Sequence, residues 1–109
     1  MVSPIQNKEY GPNSTPQEIE ALESCVFMHH DNVIYWKEVP MMSSWQVSVF
    51  ENKIKHLASE LGSFSILIDL TDSIPPNASV RKTLRELFMS LNNMGLQKAA
   101  AFTGKKVPN

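Results

Sequence analysis

The chain has 109 residues, 42% of them hydrophobic and 19% charged, with ten lysines and arginines against eleven acids. That length bounds one small domain with a single core, and the composition excludes a disordered polyelectrolyte. A net charge of −1 gives no electrostatic basis for holding DNA or RNA, and no apolar run approaches the roughly 18 residues of a membrane span.

Residues 1–14 hold two prolines, a glycine and polar residues with no hydrophobic period, and read as a flexible N-terminal tail. Met1-Val-Ser-Pro-Ile-Gln-Asn7 lacks the basic start and apolar middle of a secretory signal. One domain is expected over 15–106, with 107–109 as a short C-terminal tail. It opens on Thr15-Pro16-Gln17-Glu18, which has the form of a capping box with proline at the first helical position. That predicts a short helix through Leu22.

Cys25–His30 and Val33–Val39 are rich in β-branched and aromatic residues and predict two strands. Asp31-Asn32 between them tolerates positive φ and suits a tight hairpin. From Trp45 the period changes. Val47, Phe50, Ile54, Leu57 and Leu61 recur at spacings of three and four, a helical stripe that Gly62 is placed to stop. Phe64–Leu70 is a short apolar run, expected to be a strand covered on both faces. Ile74-Pro-Pro-Asn77 interrupts the chain and caps a second long helix, which buries Val80, Leu84, Leu87, Phe88, Leu91 and Met94 and ends at Gly95. Lys98–Thr103 reads as a last strand.

The predicted order is β-β-α-β-α-β behind the short helix. It describes an α/β domain with a mixed four-stranded sheet and helices packed on it, the last two strands parallel. Two long helices leave part of such a sheet uncovered. A homodimer is one way to cover it, with Met41, Met42, Trp36 and Trp45 as anchors. The single cysteine, Cys25, cannot form an internal disulfide, and a cytoplasmic location is expected.

Charge is unevenly divided. Residues 1–77 carry four basic residues against ten acids, and residues 78–109 carry six against Glu86 alone. Either the two halves neutralise each other on folding, or a positive face is left for an anionic group or an acidic partner.

Few chemical motifs hold up. His29 and His30 are adjacent on a strand and point to opposite faces, so with His56 they do not make a metal site, and no metal or cofactor is expected. Ser79-Val-Arg-Lys82 has the spacing of a serine–lysine pair without the companion motifs of enzymes that use one. Asn77-Ala-Ser79 is a glycosylation sequon that reads better as the start of a helix. Thr103-Gly-Lys105 lacks the first glycine of a phosphate loop. The methionines read as core filler.

The informative place is the carboxyl end of the third strand, where α/β proteins commonly bind ligands and partners. Asp69, Thr71, Asp72 and Ser73 cluster there, Asn77 starts the next helix, and Arg81, Lys82 and Arg85 occupy its first turns. Cations at a helix start oppose the helix dipole unless an anion compensates. Asp69 and Asp72 are one candidate for that anion, and a bound phosphate, phosphoserine or acidic head group is another. The two carboxylates have no nucleophile or oxyanion arrangement beside them, so catalysis is not expected.

Over residues 25–104 the chain resembles the sulfate-transporter and anti-sigma-factor-antagonist (STAS) superfamily, and more narrowly its bacterial STAS/Sec14-like group. The resemblance rests on the hairpin His30-Asp-Asn-Val-Ile-Tyr35, the first long helix, Ile66-Leu-Ile-Asp-Leu70 before a loop and helix, and Lys98-Ala-Ala-Ala-Phe-Thr-Gly104. It implies a non-enzymatic signalling module that binds a protein partner. In anti-sigma antagonists a serine after the central strand is phosphorylated, and Asp72-Ser73 is the match here. The Sec14-like branch implies the alternative, a carrier or sensor for a small apolar or anionic ligand.

Overall fold

Local chemistry decides where each helix begins. In the computed structural model, which describes residues 11–40 and 43–104, helix α1 spans Pro16–Glu23 behind the expected capping box. Glu18 N–H donates to the Thr15 hydroxyl at 3.2 Å, and Thr15 N–H donates to the Glu18 carboxylate at 3.0 Å. Helix α2, Ser44–Ala58, repeats the device with Ser43 and Gln46. Helix α3, Ala78–Met94, starts where Asn77 Oδ1 accepts the N–H of Val80 at 2.9 Å. It ends at Gly95, whose φ of 114° is left-handed.

Four strands form one sheet in the order β1-β2-β3-β4: Val26–His30, Val33–Lys37, Phe64–Asp69 and Leu96–Phe102. The hairpin β1–β2 is antiparallel, turning through Asp31 at a φ of 27°, and the other two pairings are parallel. The expected α/β class, element order and mixed sheet are therefore the observed ones.

The core lies on one side of that sheet. Ile34 and Trp36 of β2, with Phe64 and Ile66 of β3, are buried against Val47, Phe50 and Ile54 of α2 and Val80, Leu87 and Leu91 of α3. Helices α1, α2 and α3 pack side by side over this face. Their burial supplies the main driving force for folding.

The shared helix layer corrects two expectations. β3 is not covered on both faces, because Leu67 and Asp69 alternate onto the helix-free side and are only half-buried. Trp36 is no surface anchor: it is 1% exposed, its ring 5.7 Å from that of Phe50 and 6.2 Å from that of Phe88. Trp45 is half-buried, and Met41 and Met42 lie outside the described residues.

One helix boundary also moves. α2 stops at Ala58, short of Gly62, because Ser59 N–H closes the last turn on Lys55 O and Leu61 N–H folds back to Ala58 O. Residues 11–14, expected as tail, make a turn in which Ser14 N–H donates to Gly11 O at 2.9 Å. No helix among the described residues is long and apolar enough to cross a membrane.

Candidate functional site

Asp69 is the last residue of β3, and its two carboxylate oxygens tie three segments together. Oδ2 accepts the phenol of Tyr35 at 2.6 Å, and Oδ1 accepts the Thr71 hydroxyl at 2.6 Å and the Thr71 N–H at 2.9 Å. The Thr71 hydroxyl in turn accepts the N–H of Gly104, just past β4, at 2.7 Å. These bonds, led by the one from Thr71, hold the carboxyl of Asp69 below its usual range. The hydrogen bond to Asp69 raises the pKa of the Tyr35 phenol. Such a carboxylate is a brace, with its acceptor capacity engaged, rather than a free base.

Asp72 turns elsewhere. Its carboxylate meets the ammonium of Lys37, on β2, at 3.2 Å, a partly exposed pair worth about 0–1 kcal/mol. Next to it, Ser73 is half-buried beside Glu38, the residue after β2. Glu38 is 8% exposed, and burial pushes its carboxyl up, with the hydrogen bond from Ser73 opposing that shift. The Ser73 hydroxyl also lies 3.3 Å from the carbonyl of Ile74. Ile74 itself is 45% exposed, an apolar side chain at the rim of the junction.

Asp69, Thr71, Asp72 and Ser73 are thus brought to the carboxyl ends of β2 and β3, as expected from their spacing. Asn77 serves as the cap of α3. Arg81 is not part of the cluster; its guanidinium donates to Pro76 O at 3.1 Å. The expected compensation of Arg81, Lys82 and Arg85 by Asp69 and Asp72 does not occur, because those carboxylates are engaged by Tyr35, Thr71 and Lys37. The first turn of α3 contains no acid, and Arg81, Lys82 and Arg85 are exposed without an ion pair among the described residues.

Beyond the junction runs the helix-free face. Phe27 of β1 and Tyr35 of β2, directly opposite in register, stack with centroids 4.9 Å apart. Phe102 meets the same ring edge-on at 6.3 Å, and His29 lies 5.7 Å away. Phe27 is 44% exposed and Phe102 39%. Sequence reasoning missed Phe27, Tyr35, Lys37 and Phe102 as site residues. The available signal was alternation: Val33, Tyr35 and Lys37 share one face of β2, opposite Ile34 and Trp36.

Other reactive side chains are quiet. Cys25 is buried, which pushes its thiol up and away from thiolate chemistry. Among the described residues, no three His, Cys, Asp or Glu side chains are grouped to hold a metal ion. No protein family matches the chain, and neither a curated protein nor a solved structure does so.

Proposed function

We propose that the chain is a non-enzymatic, STAS-like protein-interaction module working in the cytoplasm, with its partner on the helix-free sheet face and the adjoining junction. The observation that carries this reading is the contiguous Phe27–Tyr35–Phe102 cluster, on a sheet face that no helix among the described residues covers. Aromatic groups of this kind anchor protein interfaces, since they offer large apolar area at low entropic cost. Exposed Ile74 and the Lys37–Asp72 pair extend the surface with an apolar rim and paired charge.

Ser73 is the proposed switch. A phosphoryl group there would set two negative charges against Glu38 and near Asp72, and repulsion would push the 71–77 loop outward. The partner surface would change shape without any change in the core. The carrier alternative draws less support, because Trp36, Phe50, Phe64, Leu87 and Leu91 fill the space between helices and sheet.

The test is affinity capture from the native host with three baits: wild type, a Phe27→Ser/Phe102→Ser double variant, and Ser73→Asp. A stoichiometric protein lost from the double variant and altered by Ser73→Asp, with thermal unfolding preserved, is the expected result. A partner indifferent to both baits counts against the reading. A discrete small-molecule adduct in the native mass spectrum would move the assignment to the carrier.

A further inference from the structure

The last strand of the sheet has an open outer edge with a self-matching order of residues. β4 is the edge strand next to β3, and every residue from Gln97 to Phe102 is exposed. Its hydrogen-bonding phase follows from one contact: Leu70 N–H donates to Phe102 O at 2.8 Å. Peptide groups alternate along a strand, so Lys98, Ala100 and Phe102 aim theirs at β3. Ala99 and Ala101 therefore aim N–H and C=O away from the sheet. Side chains alternate as well. Lys98, Ala100 and Phe102, in register with Ser65, Leu67 and Asp69, lie on the helix-free face, and Ala99 and Ala101 lie on the other.

Edge strands usually carry devices that block pairing, among them prolines, bulges, short length and inward charges. β1, the other edge, is five residues long with a register irregularity between Met28 and His30. β4 is seven residues long, and its one irregularity lies at its start, opposite Phe64 and Ser65. From Ala99 to Ala101 it has no proline and no charge.

The order of residues along β4 selects the occupant. Consider an antiparallel copy of β4 related by a two-fold axis through Ala100, normal to the sheet. Ala99 then faces the copy's Ala101, and the two exchange both main-chain bonds. The axis repeats that pair, so every outward N–H and C=O of the two alanines is used. Lys98 falls opposite the copy's Phe102, and the reverse, in the class of pair whose side chains lie closest. Lys98 has no ion pair among the described residues, and an ammonium over an aromatic face is attracted to it. Moving the axis by one residue sets Lys98 or Phe102 against alanine and loses both contacts. A two-fold parallel pairing fails, because it sets Ala99 beside the copy's Ala99, whereas a parallel ladder needs residues of opposite phase side by side.

The same axis separates charge. α3 runs antiparallel to β4, so the two α3 helices lie antiparallel on one side of the joint sheet. Their cationic first turns stand at opposite ends. Each is set toward the end of the copy's α3, whose last turn holds no basic residue and whose carbonyls carry the negative end of the dipole.

We propose that β4 is the two-fold interface of a homodimer, joining two four-stranded sheets into one continuous sheet. The second copy's Lys98 then borders the aromatic face beside Phe102. A strand-edge contact is small, under roughly 1,200 Å², so the dimer forms and dissociates with concentration. It does not depend on the partner reading above.

Sedimentation velocity over a concentration series, with amide exchange followed by NMR, tests it. The expected result is a reversible monomer–dimer equilibrium, with exchange at Ala99 and Ala101 slowing as concentration rises. Lys98→Glu should weaken the dimer several-fold, with its melting temperature little changed. Ala101→Pro removes an N–H that no ladder bond within the chain uses, so it should fold and stay monomeric. Under mild oxidation Ala100→Cys should cross-link to its own copy, since the facing Cα atoms of such a pair are about 4.5 Å apart, within disulfide reach. Ala99→Cys should cross-link far less, because it faces Ala101, and Cys25 is buried in both variants.

A protein that stays monomeric up to millimolar concentration would overturn the proposal. So would a dimer that Ala101→Pro and Lys98→Glu leave unchanged, or one whose protection lies on the aromatic face instead of the edge. Equal cross-linking of Ala99→Cys and Ala100→Cys would overturn the register. If Ala101→Pro does not fold, the two cysteine variants and the exchange rates decide.

Discussion

The phenol of Tyr35 and the carboxylate of Asp69 meet at 2.6 Å diagonally across the β2–β3 pair, Asp69 lying two residues beyond Leu67, the register partner of Tyr35. The contact joins the aromatic face to the junction, since Asp69 also holds Thr71, and Thr71 holds Gly104. Tyr35→Phe should cost about 1 kcal/mol, the net worth of one hydrogen bond. Asp69→Ala strands three donors at once and should cost roughly 2–3 kcal/mol by urea unfolding.

The acid limb of stability follows from the same residue. The pKa of Asp69 is lower in the folded state than in the unfolded chain, so its contribution is present above the unfolded pKa. It is lost as pH falls through the folded value. Stability measured from neutral pH downward should therefore fall more steeply for wild type than for Asp69→Asn. Parallel profiles would remove Asp69 as the cause.

Glu38 has the opposite sign. Burial raises its pKa, so folding favours the protonated form, and its contribution is present below the unfolded pKa and lost as pH rises through the folded one. Glu38→Gln keeps an acceptor for Ser73 and removes the buried charge. The variant should be at least as stable as wild type at neutral pH, and its advantage should shrink in acid. A variant less stable than wild type at neutral pH would mean that the charge itself is needed.

Gly95 and Gly62 make a contrast that needs no pH. A Cβ on Gly95 would stand 2.4 Å from the carbonyl oxygen of Gly62, and the φ of 114° is itself strained for any other residue. A Cβ on Gly62 would meet nothing within 4 Å. Gly95→Ala should cost about 1–3 kcal/mol from backbone strain alone, with the close contact adding to it. Gly62→Ala should stay within about 0.5 kcal/mol of wild type. Similar losses in both would mean that the turn relaxes around the added methyl.

The elements were legible because their signals are local: the Thr15/Glu18 box, the Asn77 cap, and the apolar period from Val47 to Ile54 each act within a few residues. The clustering of Asp69 to Ser73 was legible for the same reason. What escaped depends on which side of the sheet the helices take. Trp36 looks like a surface anchor in sequence and lies in the core, whereas Phe27, which nothing in the sequence singles out, is exposed. Partner choice escaped as well. Nothing near Asp72 in the chain says that Lys37, on another strand, reaches it before Arg81 can.

Trp36 itself offers the last test. Its indole N–H is buried without a hydrogen-bond partner among the described residues, and its ring lies 5.7 Å from that of Phe50 and 6.2 Å from that of Phe88. An unmet buried donor costs about 1–3 kcal/mol, so part of what the side chain gains by burial is lost at that nitrogen. Trp36→Phe removes the donor and keeps an aromatic ring in the gap, at the expense of some volume. The two effects oppose, and the net loss should stay below about 1.5 kcal/mol. Trp36→Ala empties the site and should cost about 3–5 kcal/mol. Urea unfolding of the two variants decides the matter. Equal losses would show that the pocket needs the full indole, and that the unpaired nitrogen carries little penalty.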